Sequence, residues 1–278
     1  MLIPEKARKL EMLQRQLAGV TTAPVAPDLR SFGVDAADKA LGGGIPAAGL
    51  LEVRLPQPRG GGCGAGFLTA LAVLFGASRK RPFLWIGEQF VFGEAGWFYH
   101  SGLAAHGLDP AALAIVRPPR LEQAIWAAEE AVASGAVALV VLELFGNPAR
   151  MALEGTRRLH MRALAGGTPL VLLRQAAMVQ TSAAPLRLRL ASAPAALPED
   201  IASRWRLIGN PVFDVEVEKL RGGPPARFRV EWNPHECCFK TCQPHSGIAV
   251  PVSADRQNKA GLSGPFVARE PAGQRRWA

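Results

Sequence analysis

The chemistry of this chain concentrates between Leu50 and Phe75, LLEVRLPQPRGGGCGAGFLTALAVLF. The stretch reads as a buried strand (Leu50–Leu55), a Gly-rich turn (Pro56–Gly66) and a helix (Phe67–Phe75). Strand, glycine turn and helix in that order make a phosphate-binding loop, whose backbone N–H groups and helix N-terminus face the anion. Gly60, Gly61, Gly62, Cys63, Gly64, Ala65 and Gly66 would then line a nucleotide site. Such a loop also needs a Lys and a Ser or Thr directly after its second glycine, an ammonium for the β- and γ-phosphates and a hydroxyl for Mg²⁺. With Gly64 as that glycine the two positions hold Ala65 and Gly66; with Gly66 they hold Phe67 and Leu68. Neither register supplies the ammonium or the hydroxyl, so hydrolysis is not expected. Backbone N–H groups and a helix dipole hold anions without a Lys. Arg54 and Arg59 offer charge nearby, so ATP stays the one cofactor the stretch allows.

Other reactive side chains say less. The run His235 to His245 holds Cys237, Cys238 and Cys242, enough ligands for one zinc, but the spacings match no recognised zinc pattern. Free cysteines and no metal site are expected. Cys63 has no His or Asp close in sequence to make it a nucleophile. Few cysteines, no apolar leader and no long apolar run point to a reducing cytoplasm and no membrane contact. Lys and Arg number 32 against 23 Asp and Glu, a net charge of +9. That balance favours anionic partners, nucleic acid first.

The surrounding elements alternate. Val34–Leu41 reads as a short helix closed by Gly42, Gly43 and Gly44. Positions 82–87 and 113–117 read as strands, Glu94–Ala105 and Leu121–Ala133 as helices. Positions 136–144 (AVALVVLEL) and 169–174 (PLVLLR) are continuous apolar runs, the mark of parallel strands covered on both faces, with a helix Gly155–Ala165 between them. This is an α/β fold with a mostly parallel central sheet flanked by helices. The pattern then turns to period two. Positions 186–192 place Leu186, Leu188 and Leu190 on one side and Arg187 and Arg189 on the other, and positions 213–220 and 226–232 alternate likewise. These strands should form an antiparallel edge near the C-terminus, the last two joined through Gly222-Gly223-Pro224-Pro225.

Three segments follow from this reading. Residues 1–31 hold a basic helix (4–18), with Leu10, Leu13 and Leu17 on one face as a docking stripe, and a linker. Residues 32–233 form the core domain. Residues 234–278 lose periodicity and are expected to be largely disordered. The tail closes on Arg275, Arg276 and Trp277, residue types common at interface anchors.

The arrangement resembles the RecA-like ATPase core. Gly33–Val53, with its GGGIPAAGLLEV run, is similar to the approach to that family's phosphate loop. Within the superfamily the chain more closely resembles the ImuA family, the RecA-like accessory proteins of bacterial damage-induced mutagenesis. The supporting stretches are LWIGE (84–88), GLDPAALAIVRPP (107–119), the run 121–144, RRLHMRALAGGTPLVLLR (157–174), SRWRL (203–207) and the hairpin 216–232. The resemblance implies a protein of SOS mutagenesis and translesion synthesis, in the cytoplasm at the nucleoid. Its implied partners are an ImuB-like Y-family protein, an error-prone C-family DNA polymerase and RecA.

The resemblance also implies roles. Glu143 falls where RecA holds its Mg²⁺-associated carboxylate. Glu88 lies near the position of the water-activating glutamate, and Arg174-Gln175 matches the pair that couples nucleotide to the DNA loops. Those loops would be Phe145–Arg150 and Gln175–Ala184, short and holding one basic residue, Arg150. DNA backbone contacts would instead fall to Arg157, Arg158, Arg162, Arg187 and Arg189, which hold phosphates without reading sequence. The expected function is a non-catalytic adaptor. Its rivals are a DNA-stimulated ATPase of recombination or repair and a SulA-like inhibitor of cell division.

Overall fold

The structure, a computed structural model, describes residues 28–195 and 209–242. The expected N-terminal helix with Leu10, Leu13 and Leu17, the segment 203–207, and Arg275, Arg276 and Trp277 lie outside the described residues. All described residues belong to one compact unit, which ends at Gln243.

A nine-stranded sheet organises that unit. Its strands are β3 (Gly49–Leu55), β4 (Phe83–Gly87), β5 (Leu113–Val116), β6 (Leu139–Phe145), β7 (Pro169–Gln175), β8 (Leu186–Ala193), β9 (Val212–Leu220), β10 (Ala226–Asn233) and β11 (Cys238–Thr241). They lie in the order β11-β10-β9-β8-β3-β7-β6-β4-β5. From β8 through β5 neighbouring strands run parallel; from β8 to β11 they run antiparallel. Two short strands, β1 (Leu29–Arg30) and β2 (Ile45–Pro46), pair apart from the sheet. The α/β class, the mostly parallel sheet and the antiparallel C-terminal edge are therefore as the sequence predicts.

The helices are α1 (Asp35–Ala40), α2 (Gly61–Leu74), α3 (Gln89–Ala95), α4 (His100–Ala105), α5 (Leu121–Ser134) and α6 (Leu153–Ala165). One core joins Leu51, Val53 and Leu55 of β3 to Phe67, Leu68 and Leu71 of α2 and to the aromatic side chains of β9 to β11. The other packs Leu50 and the alternate residues of β6 and β7 beneath α5 and α6. All seven residues of β3 are buried, so this strand is the spine between the two cores.

Four expectations need correction. The glycine turn is shorter than read, since helix α2 begins at Gly61 and takes in Gly61 to Gly66. The reason is packing: a Cβ on Gly64 would stand 2.8 Å from Leu55 Cδ1, so glycine there lets the helix close on the end of β3. The single helix expected over Glu94–Ala105 is two, α3 and α4, broken at Gly96, whose φ of +82° no ordinary residue adopts readily. The sheet does not end at position 233: β11 adds an edge strand at Cys238–Thr241, antiparallel to β10, with Phe239 buried against Phe32 and Trp232. A four-residue strand after a tight turn leaves too short an alternation to recognise. Finally, β8 is not on the antiparallel edge alone; it pairs parallel with β3, and Arg187 turns inward.

Candidate functional site

The carboxyl ends of β4, β6 and β3 converge beside the start of α2, the usual place for ligands on a parallel sheet. A cavity of about 290 Å³ opens there. Gly61, Gly62, Ala65 and Gly66 form its α2 wall and Glu143 stands at the end of β6. Of the residues predicted to line a nucleotide site, the structure brings these five together. Gln175 joins them by donating from Nε2 to Glu143 Oε1. Gly60, Cys63, Gly64 and Glu88 lie outside the lining. Glu88 follows directly on Gly87, which pairs in register with Glu143, and it caps α3 from an extended backbone without a side-chain hydrogen bond.

Glu143 is 4% exposed, and its two oxygens are answered by neutral donors alone. Trp85 Nε1–H donates to Oε2 at 2.7 Å, and Gln175 to Oε1. Burial raises the carboxyl's pKa, and the two hydrogen bonds only partly offset this. His106 closes the far wall. Its Nε2 meets Gly66 O at 2.8 Å, its ring stacks on Trp232, and burial holds it below the usual imidazole pKa. It is a neutral Nε2–H donor here.

Most of the remaining side chains of the wall are aromatic, Trp85, Phe92, Trp97, Phe98 and Tyr99, with Thr69 and Leu103 beside them. Trp85 meets Phe98 edge-on at 4.8 Å between centroids, and Phe92 stacks on Trp97 at 5.6 Å. The Arg117 guanidinium lies over the outer part of this wall, 4.8 Å from the Trp97 centroid. Sequence reading missed these side chains. The signal was present, since Phe90, Phe92, Trp97, Phe98 and Tyr99 fall within ten residues of a chain that is only 7% aromatic.

Mg²⁺ with a nucleotide triphosphate, the cofactor a RecA-like core would imply, does not fit these residues. The lining contains no Lys or Arg, and its one charged group is an acid. Arg54, expected to stand in for the missing ammonium, is buried on the other face of β3. There it donates Nε to Glu218 Oε2 at 3.1 Å and Nη1 to Ala177 O at 3.0 Å. Arg59 is exposed and outside the lining. Cys63 is part-buried and its thiol is pushed up to about 11, which keeps it protonated and unreactive.

The basic residues expected to hold DNA are differently engaged. Arg187 is 5% exposed and points into the protein, donating to Glu52 Oε2 at 3.3 Å. Glu52 also accepts from Arg174 Nε at 3.1 Å and from Ser182. Arg174 is wholly buried, its pKa lowered by desolvation, and it reaches Met151 O; it belongs to this charge cluster and not to the cavity. Arg158 pairs with Glu129, Arg162 with Glu129 and Glu130, and Arg189 with Glu216 at 2.7 Å. Among the described residues, only Arg157 of the five has no carboxylate partner. The expected phosphate surface is therefore largely neutralised, with one member internal.

The two predicted loops, Phe145–Arg150 and Gln175–Ala184, do come together. Gly146 N–H donates to Gln175 O at 2.7 Å and Asn147 Nδ2 to Met178 O at 2.9 Å. Arg150 is paired with Glu122 at 2.9 Å. No group of three or more metal-ligating side chains occurs among the described residues. No helix among them is long and apolar enough to cross a membrane.

No protein-family model matches the chain, and no curated protein matches it. Among solved structures it is similar to that of the RadB recombinase, at 16% identity and a TM-score of 0.49. The match covers 77% of this chain and 100% of that one.

Proposed function

We propose that this chain is a non-catalytic adaptor built on a degenerate RecA-like core, serving damage-induced mutagenic DNA synthesis. The observation that supports it most is the state of Glu143. A site that held metal-bound phosphate beside this carboxylate would need an ammonium and a hydroxyl close by. The donors around Glu143 are instead the neutral Trp85 and Gln175, and Ala65 and Gly66 stand where the Lys and Ser or Thr would be. Phosphoryl transfer rests on charge placed at the γ-phosphate, and none is placed here. The sequence resemblance to ImuA supplies the rest of the reading. The proposed partners are an ImuB-like Y-family protein, an error-prone C-family polymerase and RecA.

The test is purification of the tagged full-length chain from cells exposed to DNA damage, with bound proteins identified by mass spectrometry. Recovery of a Y-family-like protein, an error-prone polymerase or RecA is expected. Recovery of division proteins, or of no replication or repair protein, overturns the reading. So does ATP turnover by the purified chain that rises on adding single-stranded DNA.

A further inference from the structure

The cavity beside α2 has the wrong charge for phosphate, and that mismatch points to what it does suit. We propose that it is a binding site for an organic cation, a guanidinium or alkylammonium group on an apolar stem, with Glu143 as counter-ion and Trp85, Trp97 and Tyr99 as walls. The inference rests on reading this site as unfit for phosphate, and it does not depend on the adaptor role.

Four observations converge on it. The cavity, at about 290 Å³, has room for a small organic group. Its sole charged lining side chain is Glu143, buried to 4% exposure. Each Glu143 oxygen carries one neutral donor, which leaves a second lone pair on each oxygen for a ligand. A cation taken out of water needs such a counter-charge, and a buried acid without one is itself unfavourable, so the two complete each other. The desolvated carboxyl holds its proton more tightly than an exposed one; an entering cation reverses that preference and leaves the carboxylate ionised.

The walls suit the same ligand. Aromatic faces attract cations through the ring quadrupole, and several rings around one carboxylate make an aromatic cage. Trp97 holds the Arg117 guanidinium against its ring, 4.8 Å from the centroid, which shows that this wall accepts such a cation; a bound ligand takes that place or uses the neighbouring rings. Across from the rings, the lining at Gly61, Gly62 and Gly66 carries no side chain and Ala65 only a methyl, and this leaves the room. His106, the one imidazole in the lining, is bonded to Gly66 O and held neutral by burial, so it adds no opposing charge.

The ion has two possible sources, a free small molecule or a basic side chain presented by a partner, and one experiment separates them. The full-length chain is titrated calorimetrically with n-butylguanidinium and with a blocked arginine, N-acetyl-arginine methylamide. The neutral isostere n-butylurea and inorganic pyrophosphate serve as comparisons. Saturable one-to-one binding of a guanidinium is expected, accompanied by a change in tryptophan fluorescence. Butylurea should bind at least tenfold more weakly and pyrophosphate not at all. Preference for butylguanidinium assigns a small molecule; equal or better binding of the blocked arginine assigns a protein side chain.

Glu143→Gln should weaken binding tenfold or more. Trp97→Ala, at a ring 63% exposed and so dispensable for the core, should weaken it several-fold. Ala65→Lys, which supplies an internal ammonium, should abolish it. The proposal is overturned if neither guanidinium binds, if butylurea binds as well, if pyrophosphate competes, or if Glu143→Gln leaves the affinity unchanged. None of these outcomes bears on which proteins the chain associates with in cells.

Discussion

Two carboxylates are buried in one sheet and meet opposite fates. Glu52, in the middle of β3, is 1% exposed and is met by two guanidiniums and a hydroxyl. Glu143, at the end of β6, is 4% exposed and is met by an indole and an amide. The first lies among groups of full opposite charge and is not part of the lining of the cavity beside α2. The second keeps its charge uncompensated and faces 290 Å³ of open space. A buried acid inside an ion cluster is architecture; a buried acid held by neutral donors beside a cavity is poised for a ligand. The contrast predicts that the Glu52 cluster is the more sensitive to mutation. Glu52→Gln leaves Arg174 and Arg187 buried without their counter-charge, and both already carry an unpaired nitrogen, Arg174 Nη1 and Arg187 Nε. The expected loss is about 3–5 kcal/mol, the range for breaking a buried pair by removing one partner. Urea denaturation would measure it, and a loss below 1 kcal/mol would collapse the distinction between the two acids.

Acid titration sharpens the comparison next. His106 and His160 both have pKa values lowered in the fold, His106 by burial and His160 by burial and then by Arg221 and Lys219. His160 Nδ1 accepts the Leu50 N–H at 3.1 Å, which only the unprotonated nitrogen does. Below the ordinary imidazole pKa of about 6.5 the unfolded chain takes up these protons and the folded one resists. Stability therefore falls as pH drops below that value, until the folded pKa values are reached. Glu143 acts in the other direction. Its folded pKa is raised, so the folded state holds the extra proton and stability falls as pH rises from the ordinary glutamate value through the folded one. The two trends run in opposite directions, the histidine one setting in as pH falls below about 6.5 and the glutamate one as pH rises above about 4.5. Glu143→Gln removes one of them, so the variant should lose stability on acidification more steeply than the parent in thermal melts between those values.

Much of the scaffold was legible. Continuous apolar runs located β6 and β7 because a strand covered on both faces has no need of polar residues. Alternation located β9 and β10 because one face of each meets the Phe32, Phe213 and Trp232 cluster and the other meets water. What escaped depends on contacts far apart in sequence. Arg187 and Arg189 look equivalent in an alternating strand, yet Arg187 sits opposite Glu52 in the β3–β8 register and is drawn inward. Its partner is 135 positions away, beyond the reach of any local pattern. The glycines from Gly60 to Gly66 announce a loop by composition, but α2 begins at Gly61, and the missing side chain at Gly64 lets it close on Leu55. The aromatic run Trp97-Phe98-Tyr99 was visible as composition; only the fold brings it to Glu143.

The smallest effects test the claim that ordinary polar satisfaction, and not charge, governs the remaining sites. In Glu143→Gln the amide oxygen can still accept from Trp85, and Gln175 can turn its own amide to complement the new one. The change should stay within about 1 kcal/mol at neutral pH, since each hydrogen bond keeps a partner and the cost of burying a charge disappears. Arg189→Ala removes an ion pair whose members are both more than two-fifths exposed, Arg189 at 47% and Glu216 at 42%. Solvent and salt screen such a pair, and the loss should not exceed about 0.5 kcal/mol. Its neighbour in sequence by two, Arg187, is the stringent control. Arg187→Ala removes a guanidinium from the Glu52 cluster and leaves Glu52 with Arg174 and Ser182 alone. If the two alanine variants unfold at the same urea concentration, burial of Arg187 contributes nothing and the division of this strand into an inner and an outer arginine fails. A clear separation, with Arg187→Ala unfolding first, follows from charge that water cannot reach.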